Sequence, residues 1–132
     1  MGNIIRLNDS APKEEWLSMS NQGTDCFLEL LIAAASDKEM TSAQKALIDH
    51  LKECLEINTV APGTTSFDID EMPWNADSLA EDKAFMLEVI SKARDPSSWK
   101  GMDYEPDGTI VVPWLECFAS MINKKADLDR KI

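Results

Sequence analysis

Apolar positions recur at helical spacing along most of this chain. Cys26 to Ala35 is apolar apart from Glu29, and Asp25 stands where an N-cap belongs, which predicts a helix without a polar face, surrounded by the others. Thr41-Ser42-Ala43-Gln44 has the form of a capping box and opens a helix from about Ser42 to Glu56. On it Ala43, Leu47, Leu51, Cys54 and Leu55 make one stripe, with Lys45, Asp49, Lys52, Glu53 and Glu56 largely off it. A second box, Ser78-Leu79-Ala80-Glu81, opens a helix that Asp95-Pro96 stops near Ala93 or Arg94; Leu79, Met86, Val89, Ile90 and Ala93 face inward. A last helix runs from Pro113 to about Asn123 on Leu115, Phe118, Ala119 and Ile122, and Lys124-Lys125 suit its negative end. Lys13 to Met19, following Pro12, is expected to form a short helix. Strand propensity is confined to Thr109 to Val112 and to Ser66 to Ile69.

These elements predict a mainly α fold: a single compact helical domain of about four to five helices with long acidic loops and at most a minor short β element. Its core is expected over about 13–125, with residues 1–12 flexible. The 132 residues, 44% of them apolar, suit one domain and argue against disorder of the whole chain. Met1-Gly2-Asn3-Ile4-Ile5-Arg6 lacks the hydroxyl residue of a myristoylation signal, and the longest apolar run, Leu30 to Ala35, is six residues against the roughly 20 that span a bilayer. A cytoplasmic protein is the expectation. Three widely spaced cysteines, Cys26, Cys54 and Cys117, then read as reduced thiols packed on helix faces.

Charge adds a direction to this picture. There are 24 Asp and Glu against 13 Lys and Arg, a net charge of −11, which disfavours nucleic-acid phosphates and anionic membranes and favours a basic protein partner. The excess is concentrated: Glu53 to Asp82 holds eight acids and no base, and Gly101 to Asn123 holds four acids and no base. Within the first, Ser66-Phe67-Asp68-Ile69-Asp70-Glu71-Met72-Pro73-Trp74 sets large apolar groups among carboxylates. Two uses are open for them. They pin the loop to the core, or they serve as buried anchors of an interface whose carboxylates select a basic partner, and alternation would send Phe67 and Ile69 inward and Asp68 and Asp70 outward. The candidate partner-binding residues are Asp68, Asp70, Glu71, Trp74, Asp77, Asp103, Glu105 and Asp107, with Trp74 supplying buried contact.

Other chemistry finds little support. Asp68-Ile69-Asp70 pairs acids as some magnesium sites do, but without nucleotide-binding features around it. Asp103 to Gly108 matches part of an EF-hand loop; Trp114 occupies the position of the bidentate glutamate, Glu116 comes two residues late, and an acidic turn into the last helix is the expectation. His50 is the single histidine and lies in a helix, with no Gly-flanked serine, Cys/His signature or glycine-rich phosphate loop in the chain. No enzymatic activity, metal or cofactor is expected.

In size, acidity, absence of an export signal, and the stretch Phe67 to Trp74 followed by the Ser78 to Arg94 helix, the chain resembles the immunity proteins of bacterial contact-dependent inhibition and related polymorphic toxin systems. The resemblance is one of type, over about residues 25 to 122. It implies a protein that binds and neutralises a cognate toxin, a nuclease above all, whose polyanionic substrate requires a basic site. Those proteins share no diagnostic motif, so no residue role is carried over. A secretion chaperone or adaptor is the second reading, usually with a dimerising α/β pattern that this sequence hardly offers. A DNA mimic is the third.

Overall fold

The computed structural model describes residues 2–100, 102 and 106–125. Four α-helices enclose one core against a small sheet: β1 (Gly2–Arg6), β2 (Leu17–Ser20), α1 (Asn21–Ala35), α2 (Ser42–Val60), β3 (Phe67–Asp68), α3 (Leu79–Arg94) and α4 (Gly108–Lys124). The fold is therefore mainly α with a minor β element. Among the described residues no helix is long and apolar enough to cross a membrane.

Helix α1 is central, as its lack of a polar face requires. Phe27, Leu28, Leu31 and Ala35 are fully buried, and the helix packs on α2, α3 and α4. The Phe27 ring meets Phe118 of α4 edge to face at 5.3 Å. Its start differs from expectation. Ser20 is the N-cap, its hydroxyl accepting from the Gly23 amide, and Asp25 lies inside the first turns, where its carboxylate accepts from the Asn58 amide at 2.7 Å. Asn21, Gln22 and Thr24 hide this first turn from an apolar count; Thr24 returns its hydroxyl to the Ser20 carbonyl. Gly23 is required by close approach, since a Cβ there would lie 2.5 Å from the Trp114 ring and 2.9 Å from the capping hydroxyl of Ser20.

The Thr41–Gln44 capping box forms as expected, and α2 continues past Glu56 to Val60. The box expected at Ser78 does not form. Ser78 makes no capping bond and donates instead to the Asp82 carboxylate at 2.7 Å, while Asn75 caps the preceding 3-10 turn. At the other end, α4 starts at Gly108 with Asp107 as its cap, so Thr109 to Val112 is helical, with Val111 buried, and Pro113 sits inside the helix. A proline this near the start removes a single early backbone bond, which a packed helix tolerates.

The largest departures lie at the N-terminus. Lys13–Glu15 is a 3-10 turn and Leu17–Ser20 a strand, in place of a helix over Lys13 to Met19. Leu17 and Met19 alternate with Ser18 and Ser20, a period of two that suits a strand covering a core on one side. Gly2–Arg6, expected to be flexible, is the middle strand of the sheet, antiparallel to β2 and parallel to β3. Asn3 and Ile5 point into the core, and Ile4 and Arg6 line the outer face. Asn3 is held by a buried amide network, donating to Thr24 at 2.9 Å and to Asn58 at 3.0 Å while accepting from the Thr65 amide at 2.9 Å.

Candidate functional site

The structure sorts the carboxylates of the first acidic segment into three kinds. Asp68 is engaged by its own chain: Arg6 Nε donates to it at 2.6 Å. Asp70 is engaged as well, 3.2 Å from Lys125 Nζ and accepting from the Asn8 amide at 3.1 Å. The Lys125 side chain is only 4% exposed, so Asp70 neutralises a cation that would otherwise be stranded. Each carboxylate of Asp68-Ile69-Asp70 thus faces a different cation. Asp82 is buried beneath the start of α3. Glu53, Glu56, Glu71, Asp77 and Glu81 form the third kind, exposed and, among the described residues, without an ion pair.

Trp74 does not stand at this surface. It is 9% exposed, and its indole N–H donates to the Ile69 carbonyl at 2.8 Å, so of the two uses open to it the side chain takes the first and pins the loop to the core. Ile69 and Met72 are buried beside it, while Phe67 stays half-buried. The exposed large apolar groups among the described residues lie elsewhere: Ile110, 47% exposed, is on α4, and Ile57 and Val60, 40% and 81% exposed, share a stripe of α2 with Glu53 and Glu56.

Of the second acidic segment, the described acids Asp107 and Glu116 do not join the first. Asp103 and Glu105 lie outside the described residues. Asp107 caps α4, accepting from the Thr109 amide and hydroxyl, and these bonds, the hydroxyl first, hold its carboxyl below the usual range. The rest of the EF-hand-like run, Gly108 to Trp114, is the start of α4 and therefore helix, not a liganding loop. Helices α3 and α4 run antiparallel: Lys83 Nζ donates to the Lys125 carbonyl at 2.5 Å, and Arg94 pairs with Glu116 at 2.8 Å. Asp77 and Asp107 consequently lie at opposite ends of α3, whose 16 residues span about 24 Å. Of the eight residues expected to make one surface, the six that are described are not gathered into one.

Two hollows adjoin the exposed acids. One, of about 300 Å³, opens on the outer face of the sheet between Trp16 and Phe67, with Arg6 and Asp68 in its floor and Glu71 at its rim. The Arg6 guanidinium lies 5.6 Å and the Lys13 ammonium 5.9 Å from the Trp16 ring centroid. Phe67 meets the His50 ring edge on at 4.9 Å. The other hollow, about 670 Å³, lies where the α1–α2 connection meets α3, lined by Asp37, Glu39, Glu81 and Glu88. There Lys92 pairs with Asp37, and Lys38 stands 3.6 Å from Glu88.

His50 and Cys54 come together, Nε2 to Sγ 3.6 Å, but not as a nucleophilic pair. Burial pushes the Cys54 thiol up to about 11, with Glu53 adding to the effect, and burial lowers the His50 imidazole below its ordinary value. Both stay neutral at neutral pH. The folded protein resists protonating His50, so this part of its stability is complete above the unfolded value near 6.5 and is lost as pH falls below it. Calorimetric midpoints should therefore fall between pH 6.5 and 5 more steeply in the parent chain than in His50→Gln; identical slopes would remove His50 as the cause. Among the described residues no three His, Cys, Asp or Glu side chains converge as a metal-ligand set.

Sequence reasoning missed Arg6, Trp16 and Lys125. The alternation from Trp16 to Ser20 was the available signal for Trp16; Arg6 lies in a strand too short to show a period, and for Lys125 there was no signal, because burial of a lysine after a helix end depends on the loop folded over it. No protein-family model, curated protein or solved structure matches this chain.

Proposed function

We propose that this chain is a protein-binding inhibitor of the immunity type, acting in the cytoplasm, which occupies the basic surface of a cognate toxin, a nuclease domain of a contact-dependent inhibition system above all. The observation that carries this reading is the set of five exposed carboxylates, Glu53, Glu56, Glu71, Asp77 and Glu81, drawn from a 30-residue run without a base and left without an ion pair among the described residues. Exposed carboxylates that no cation of their own chain pairs are available to steer and select a partner of the opposite sign. Ile57 and Val60 add apolar area beside two of these acids.

The test is to establish whether the gene immediately upstream encodes a toxin region and to co-express that region with the chain. The parent chain should restore growth. Glu71→Lys combined with Asp77→Lys should weaken the purified complex by about 10-fold to 100-fold, mainly through slower association, while changing folding stability by less than about 0.5 kcal/mol. Asp70 is unsuited to this experiment because reversing it would leave the Lys125 ammonium buried against a like charge. Absence of rescue overturns the reading, and rescue with an unchanged association rate in the double variant moves the interface off this surface.

A further inference from the structure

The hollow on the outer face of the sheet is built to hold cations, and its own chain shows how. Arg6 lies beside Trp16 and gives its Nε–H to Asp68, while its terminal N–H groups have no partner among the described residues. Three carboxylates act on this one guanidinium: Asp68 directly, Asp9 and Glu71 through space. Asp9 and Glu71 form no ion pair among the described residues. The remaining cation, Lys13, is exposed, stands over the same ring, and has no carboxylate partner there either. Among the groups lining the hollow, Arg6 against Asp68 and Glu71 leaves one negative charge in excess. Lys13 holds its place by the ring alone, so a second cation bonded to Glu71 can take it.

Resting on the basic-partner reading above, we propose that this cleft receives a basic side chain of the partner, arginine in preference to lysine, placed between Trp16 and Phe67 and paired with Glu71. A planar guanidinium suits the slot for two reasons. It stacks on aromatic faces, and it can give two parallel N–H groups to the Glu71 carboxylate, whereas an ammonium acts as a compact point charge. The volume of about 300 Å³ accommodates one such side chain, not a folded segment.

The experiment titrates the 15N-labelled full chain with acetyl-Gly-Arg-Gly-amide and follows the Trp16 indole N–H, which is fixed by its bond to the Ala11 carbonyl. The buried Trp74 indole is the internal control. A saturable shift confined to Trp16 is expected, several-fold weaker with acetyl-Gly-Lys-Gly-amide, absent with acetyl-Gly-Glu-Gly-amide, and several-fold weaker in Glu71→Gln of unchanged unfolding midpoint. No shift with the arginine peptide, an equal shift with the glutamate peptide, or an unaffected Glu71→Gln overturns the proposal. A silent titration beside intact rescue in co-expression refutes the cleft and leaves the inhibitor reading standing. A positive titration beside failed rescue refutes the toxin and leaves the cleft.

Discussion

Asn58→Ala is expected to lower folding stability by about 3 kcal/mol, measured as a shift of the urea unfolding midpoint without a change of slope. The side chain is buried and uses its whole bonding capacity. Its amide donates to the Asn21 carbonyl at 3.0 Å and to Asp25 at 2.7 Å; its oxygen accepts from Asn3 at 3.0 Å and from the Gly63 amide at 3.3 Å. Alanine would leave four polar partners to find water inside a packed junction, and one of them is a carboxylate. The cost of an abandoned buried partner exceeds the net worth of the bond it made, which is why the sum is large. Asn58→Asp should be no milder, because it sets a second carboxylate against Asp25. A loss below about 1 kcal/mol for Asn58→Ala would show that water reaches this junction and repairs it.

Trp74→Ala is expected to cost about 3 to 4 kcal/mol of stability and to leave partner affinity unchanged at a temperature where the variant is folded. The indole fills space beside Ile69 and Met72, and its N–H satisfies the Ile69 carbonyl. Trp74→Phe keeps most of the buried area and loses the hydrogen bond, so about 1 to 1.5 kcal/mol is expected. Denaturation and binding measured on the same preparations decide the matter. Weakened binding with parental stability would return Trp74 to the interface.

The elements legible in the sequence are those whose evidence is local. Helix α2 carries its capping box and apolar stripe within itself, and the end of α3 is written in Asp95-Pro96. What could not be read depends on residues far apart in the chain. Gly2–Arg6 has too few positions for a period to be recognised and becomes a strand only because Leu17–Ser20 and Phe67–Asp68 flank it. Asp25 and Ser20 are both good capping residues, and the choice between them is made by Asn58, 33 residues beyond Asp25. The same holds for the acidic surface. Composition located the carboxylates, but Asp68 and Asp70 were removed from it by Arg6 and Lys125, and Asp107 was placed a helix length away by the antiparallel pairing of α3 and α4. The five acids that remain free are distinguished from these only by what folds against them.

The parallel pairing of β1 with β3 joins Ile5 to Phe67. On a ribosome adding about 5 to 20 residues per second, the first strand waits roughly 3 to 12 s before its partner is even synthesised. In that interval β2 and α1 are already available to it, so the antiparallel hairpin and the bond from Asn3 to Thr24 can form early. The seat of Asn58 closes next, once Gly63 is made, and the parallel edge and the floor of the Arg6 cleft only afterwards, when Asp68 arrives. The floor of the Arg6 cleft is thus completed only once the chain has passed its midpoint, and the nascent chain passes through a stage in which Arg6 is present without the carboxylate that later holds it.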